Sequence, residues 1–323
     1  MLSLFNYISI IIIGRNTEKT LKNCIDNLLL SIHNTKFIEK YEILYIDSNS
    51  SDNSVFIAKE NNVEVIEIID GYITASLGRY LGKKYAKYNN LLFIDSDMYL
   101  DAEWFKASKK YYEKYGAIIG ERYEKLYRDD KVIKEIPKFY DIKNIEVASN
   151  IGGFLMIKKE IIRNVNYTPI IKNEEEKDFY AKFYDKSKIY KIPIIAYIHN
   201  NYNLTSSRLK DYIYPYNKNG YIISLLNSLK NGYFMNYLFL QKRYVLSICV
   251  SIIFYISFFI ESYTIGVSSL FFLLFNGKKQ IKGSVMTTIF FPYKFIMSLI
   301  FLLKNKSCQY VYRNISHKIE IKI

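Results

Sequence analysis

Four short apolar runs constrain this chain more than any other feature: Ile8–Ile13, Tyr41–Ile46, Val63–Ile69 and Leu91–Ile94. Runs of this length, rich in Ile, suit strands buried on both faces of a parallel sheet. Between the first two, Leu21, Cys24, Ile25, Leu28, Leu29 and Ile32 recur at helical spacing. Asn16 or Thr17 is placed to cap that helix, and Ser51 or Asp52 a short second one. Ser76–Lys87 reads as a basic third helix. Strand–helix units repeating this closely predict an α/β fold with right-handed crossovers.

The fourth run ends in Asp95-Ser96-Asp97. Ligands collect beyond the carboxyl ends of strands in open α/β sheets, so two acids there are well placed. They either punctuate a turn before the next helix or hold a hard divalent cation, Mg2+ or Mn2+, together with a diphosphate. Asp101 can cap a helix reaching Tyr115 and closed by Gly116. Ala117–Tyr123 reads as a further strand. Glu124–Glu146 is less regular, with a turn at Arg128–Lys131. Gly152-Gly153 leads into a strand ending at Ile157, Lys172–Lys177 opens a helix running to about Tyr184, and Ile189–Ile198 is extended and stops at His199.

The chain has 323 residues, is 50% hydrophobic and carries a net charge of +14. That balance excludes a disordered chain and leaves an anionic membrane surface or anionic substrates as partners. No zinc-finger spacing, base-reading helix or dense Arg cluster points to nucleic acid. Three widely spaced cysteines, Cys24, Cys249 and Cys308, suit a reduced compartment. The N-terminus lacks a basic segment ahead of its apolar run, so it reads as a first strand and not as a signal peptide.

Composition shifts after Lys242-Arg243. Tyr244–Phe275 contains one charge, Glu261, and Ser284–Leu303 is a second apolar stretch broken by Pro292 and Lys294. A straight helix over the first stretch would reach about 48 Å, against a hydrocarbon core of about 30 Å. Two hairpin-like or re-entrant segments are therefore expected, with a buried helical subdomain as the alternative. Basic junctions at Lys242-Arg243, Lys278-Lys279-Lys282 and Lys304-Lys306 would all lie on the cytoplasmic side.

Taken in order, four pieces carry a family resemblance: the first strand with Gly14-Arg15-Asn16-Thr17-Glu18; Ile46-Asp47 through Asp52; Gly78-Arg79 before an amphipathic helix; and Asp95-Ser96-Asp97. Together they resemble the inverting family 2 nucleotide-sugar glycosyltransferases of GT-A fold, over roughly residues 7–200. The resemblance implies a GT-A, Rossmann-like, mostly parallel sheet. The expected divisions are a catalytic domain over 1–204, an amphipathic helical connector over 205–243, and membrane-associated helices with a basic tail over 244–323.

It further implies a nucleotide-sugar donor, in particular a UDP-sugar. Gly14, Arg15 and Asn16 would flank the nucleotide, and Asp47 would meet the uracil. Asp97 would ligate Mg2+ or Mn2+ directly, with Asp95 reaching the ribose or the metal through water, and His199 near the metal. Arg79 would contact the donor, unless it is an ordinary helix-surface arginine. The acceptor-side base is carried over to Glu176, then Glu175, in Asn173–Phe179. A helix start there would lower the carboxylate pKa and keep the base ionised. The acceptor would be a glycan or polyprenyl-linked hydroxyl for cell-surface polysaccharide. The setting would be the cytoplasmic face of a bacterial inner membrane, with lipid contact through the C-terminal region. Alternatives are a polyprenyl-phosphate glycosyltransferase and a catalytically silent glycan-binding protein of the same fold.

Overall fold

The structure, a computed structural model, describes residues 5–202, 220–241, 311–314 and 319–322, with 253 and 296. The apolar stretches at 244–275 and 284–303 otherwise lie outside the described residues, and so do the re-entrant segments expected there. Among the described residues no helix is long and apolar enough to cross a membrane.

The four apolar runs form β1 (Tyr7–Gly14), β2 (Lys40–Asp47), β3 (Glu64–Asp70) and β4 (Asn90–Asp95). They lie parallel in the order β3-β2-β1-β4. Ile8, Ile10, Ile11, Ile12 and Leu91–Ile94 are buried, each worth about 1.5–3 kcal/mol relative to exposure. Helices α1 (Leu21–His33), α2 (Ser54–Glu60) and α3 (Ala75–Tyr85) make the crossovers. α3 lies directly on β1, because a Cβ at Gly82 would sit 2.2 Å from Ile11 Cγ2.

Helix starts differ from expectation. α1 begins at Leu21, and the Thr17 carbonyl accepts from the Thr20 and Leu21 amides in a preceding turn. Asn16 is left-handed at φ 54°, which frees its side chain to bind the neighbouring loop. α3 is capped by Thr74 Oγ1, which accepts from Leu77 N. Gly78 and Arg79 thus lie inside the helix and not before it.

The second half is not parallel. It comprises β5 (Met98–Leu100), α4 (Trp104–Tyr115), β6 (Ala117–Arg128), β7 (Lys131–Ile136), β8 (Glu146–Val147), β9 (Leu155–Lys158), α5 (Glu175–Ala181) and β10 (Tyr190–Asn201). β9 inserts antiparallel between β4 and β6, while β10 runs parallel to β6 and antiparallel to β5. The sheet is therefore mixed, and the mostly parallel sheet expected from the sequence holds only for its first half. The turn read at Arg128–Lys131 joins β6 to β7, with Asp129 and Asp130 both at positive φ as a two-residue hairpin requires. Asp101 accepts from the Glu103 amide ahead of α4 instead of capping the helix itself.

The described part of the connector is packed, not free-standing. α6 (Gly220–Lys230) and α7 (Phe234–Leu240) dock on α5, where Tyr233 Oη donates to the buried Asp178 at 2.7 Å. β11 (Val311–Asn314) and β12 (Ile319–Lys322) extend the sheet beyond β3, with β11 antiparallel to it. Arg313 pairs with Glu67 at 2.7 Å, and buried Tyr312 hydrogen-bonds Tyr85 at 2.8 Å. The span expected to hold membrane-associated helices and a basic tail therefore also supplies an edge to the sheet.

Candidate active site

Register brings the sequence-marked residues together. Gly14 pairs with Asp47 on one side of β1, and Ile13 pairs with Asp95 on the other, so both acids sit at adjacent strand ends. The loops after β1 and β2 are laced to each other: Asn16 N donates to Ser50 Oγ at 2.8 Å, and Ser51 N donates to Asn16 Oδ1 at 2.9 Å. Gly14 ends β1 beneath Ser96, and Arg15 is exposed beside it.

Asp47 is fully buried. It accepts from Tyr45 Oη at 3.0 Å, from Ser50 N at 2.8 Å and from Ser50 Oγ at 2.5 Å. Burial raises its pKa, partly offset by these donors. The carboxylate thus holds the loop after β2 together from beneath.

Arg79 is not a helix-surface arginine. Its side chain is 2% exposed, donating from Nη1 to Glu175 Oε1 at 2.7 Å and from Nη2 to Asp95 Oδ1 at 2.8 Å, with Glu176 Oε1 at 3.6 Å. Burial disfavours the charged guanidinium, but Asp95, Glu176 and Glu175 more than compensate and hold it protonated. One cation on α3 therefore joins the end of β4 to the first turn of α5. Gly153, ahead of β9, closes the other side of Asp95: a Cβ there would lie 1.8 Å from Asp95 Oδ2.

The two candidate bases differ in access. Glu175 is 7% exposed and tied to Arg79, whereas Glu176 is 19% exposed and farther from it. Both have raised pKa values with burial as the leading cause; Arg79 opposes the rise in each. Asp95 is likewise raised by burial, against Arg79. The expectation that the helix start would lower the base pKa fails because removal from water outweighs the amides of a short helix. Glu174 at the N-cap is itself in the left-handed region, at φ 62°.

Asp97 points away from this cluster. Its Oδ2 is 3.4 Å from His199 Nε2, and its Oδ1 is buried without a hydrogen-bond partner. The backbone of Asp97 is fixed by Asn200, whose N donates to its carbonyl at 3.0 Å. His199 Nδ1 lies 3.0 Å from Glu124 Oε2 and 2.7 Å from Arg122 Nη2, and Arg122 also pairs with Glu124. Burial would lower the His199 pKa, but Asp97 and Glu124 raise it to about 9. Glu124 moves the other way, its burial outweighed by His199 and Arg122. Glu124 and Arg122, both on β6, were not singled out from the sequence; nothing local distinguishes them, because their partner arrives from β10.

The proposed ligand set of Asp97, Asp95 and His199 is thus split. Asp97 and His199 come together at 3.4 Å, while Asp95 pairs with Arg79 at 2.8 Å. Among the described residues no group of three His, Cys, Asp or Glu side chains is placed to hold an ion. The orphaned Asp97 oxygen and a histidine braced by a carboxylate nevertheless fit a cation that takes its remaining ligands from a diphosphate.

Residues 9–165 match the family model described as glycosyl transferase family 2. No curated protein matches the chain. The fold is similar to that of S. aureus TarS 1-349 crystallised with UDP-GlcNAc, at 17% identity and TM-score 0.53, covering 73% of this chain and 72% of that one. It is also similar to GalNAc-T7 crystallised with UDP, GalNAc and Mn2+, at 14% identity and TM-score 0.52, covering 73% and 56%. These likenesses concern the fold, and it is the GT-A fold. Over residues 9–165 the chain is thus similar to glycosyl transferase family 2.

Proposed function

We propose that the protein transfers a sugar, with inversion, from a UDP-sugar to a hydroxyl of a lipid-linked glycan in cell-surface polysaccharide synthesis. The observation that carries this is the cluster around Arg79. It gathers Asp95, Glu175 and Glu176 at the strand ends beside Asp97 and His199. Glu176 is the better base of the two because it is the more exposed and the less tightly paired. Its carboxylate takes the proton of the acceptor hydroxyl as the oxygen attacks C1 of the sugar. The C1–O bond to the diphosphate breaks, and the diphosphate leaves with the electron pair.

Arg79 opposes the burial-driven rise of the Glu176 pKa and positions Asp95. Asp97 and His199 would hold Mg2+ or Mn2+, which supplies charge stabilisation to the departing diphosphate. The apolar stretches after Lys242-Arg243 and their basic junctions support a setting at the cytoplasmic face of a bacterial inner membrane.

Isothermal titration of the full chain against a panel of nucleotide sugars, with and without Mn2+, tests the donor side. Cation-dependent binding of a UDP-sugar is expected. Binding of none, or binding indifferent to Mn2+ in both wild type and Asp97→Ala, overturns it.

A further inference from the structure

At the end of the sheet opposite the acids, a cleft of about 500 Å³ gathers cations. Lys83 and Lys84 line it from the last turn of α3, and Lys159 and Arg163 from the segment after β9. Lys158, the last residue of β9, pairs with Asn90, the first of β4. The cleft therefore lies about 17 Å from Asp95 along β4.

The four cations share the cleft with one carboxylate, that of the exposed Glu160. Their own partners are neutral. Lys83 is 6% exposed and donates to the Val165 carbonyl at 2.6 Å and to Asn166 Oδ1 at 2.7 Å. Lys159 Nζ donates to the Ala86 carbonyl at 2.7 Å, and Lys84 Nζ to Tyr312 Oη at 3.1 Å. Such acceptors satisfy N–H groups without neutralising charge. Burial, and next the charge on Lys159, accordingly lower the Lys83 pKa to about 8. The carbonyl end of α3 by itself attracts lysines, which accounts for Lys83, Lys84 and Lys159. It does not account for Arg163, whose guanidinium makes no hydrogen bond or ion pair among the described residues. With its Oδ1 taken by Lys83, Asn166 also has its amide N–H groups left to donate. A wall of donors carrying net positive charge matches an oxyanion that only accepts.

We infer that this cleft binds a phosphate group, carried by a compound other than the sugar donor. The group bridges α3 to the segment after β9, and so ties down the helix that carries Arg79 one turn before Lys83. Its carrier is either a free phosphorylated compound or a phospholipid headgroup, and the same side chains serve both.

Isothermal titration of the full chain in detergent uses inorganic pyrophosphate as the free ligand and dihexanoyl phosphatidic acid as the headgroup. Both are run in EDTA, so that the cation-dependent diphosphate site is silent. Saturable binding is expected, weakened about tenfold or more by Lys84→Gln with Arg163→Gln. The tighter of the two ligands identifies the carrier. Both substituted positions are exposed, and an unchanged Tm without ligand checks that the variant is folded. Lys83→Met should abolish the rise in Tm that the ligand gives wild type. Saturable binding of neither ligand, or equal affinity in wild type and the double variant, overturns the proposal. So does a loss in Asp97→Ala in place of the double variant, which puts the anion at the catalytic end. Donor titration with Mn2+ is a separate readout, so failure here leaves the transferase reading untouched.

Discussion

Replacing Arg79 with methionine tests whether one buried cation holds the site together. The side chain is 2% exposed and its partner Glu175 is 7% exposed, at 2.7 Å. Methionine fills much of the same volume but leaves Glu175 without a cation. Removing one partner of a buried pair costs about 3–5 kcal/mol. Asp95 and Glu176 contribute less, being more open to water. For a domain of this size the loss corresponds to a fall in Tm of roughly 6–20 °C.

The deficit also depends on pH, with a definite sign. Burial, then Glu176, raises the Glu175 pKa, and Arg79 opposes them. Without Arg79 the folded-state value climbs further while the unfolded value stays near about 4.3. A raised carboxylate pKa means the native state holds its proton more tightly, so stability is lost as pH rises from about 4.3 through the folded value. The variant should therefore approach wild type in acid and fall behind it progressively toward neutrality and above. Thermal unfolding of the full chain in detergent, followed by circular dichroism across that range, reads both effects. A deficit below about 1 kcal/mol, within the range of an unremarkable substitution, would refute the argument. So would one that is flat with pH.

Gly153→Ala should displace the Asp95 carboxylate, since its Cβ would fall 1.8 Å from Oδ2; titration should show weakened donor binding, and unchanged affinity would mean Asp95 does not meet the donor. Tyr312→Ala removes a buried ring from β11 and should cost about 3–5 kcal/mol, seen as a lowered Tm; no change would show that the returning strand does not stabilise the sheet. His199→Ala should weaken Mn2+-dependent UDP binding measured by calorimetry while leaving cation-free binding alone, and an equal loss in both would remove His199 from the cation site.

The first half of the fold was legible because its strands are short, apolar and separated by helices with clear spacing. Asp95, Asp97 and Glu176 were legible through motif order. Arg79 was legible as a candidate donor contact but its burial was not, because the helix from Ala75 to Tyr85 looks basic on one face; only carboxylates arriving from β4 and α5 make that face a buried one. Glu124 and Arg122 fall in a strand whose exposure is irregular, and their role exists only once β10 brings His199 alongside. Asp47 was visible as an acid at a strand end, but its hydrogen bonds to Tyr45 and Ser50 show in three dimensions alone. β11 and β12 are short, carry charged residues and pair with a strand far away in sequence, so no local pattern announces them.

The central claim is that Glu176 removes the acceptor proton while Asp97 serves the cation. It is tested most directly by nucleoside diphosphate release from a UDP-sugar and a lipid-linked acceptor, comparing wild type with Glu176→Gln. The account predicts a fall in kcat of about 10²–10⁴-fold, typical of a lost general base, with Mn2+-dependent donor affinity unchanged. Unaltered turnover in Glu176→Gln, or loss of donor binding in place of turnover, would contradict it.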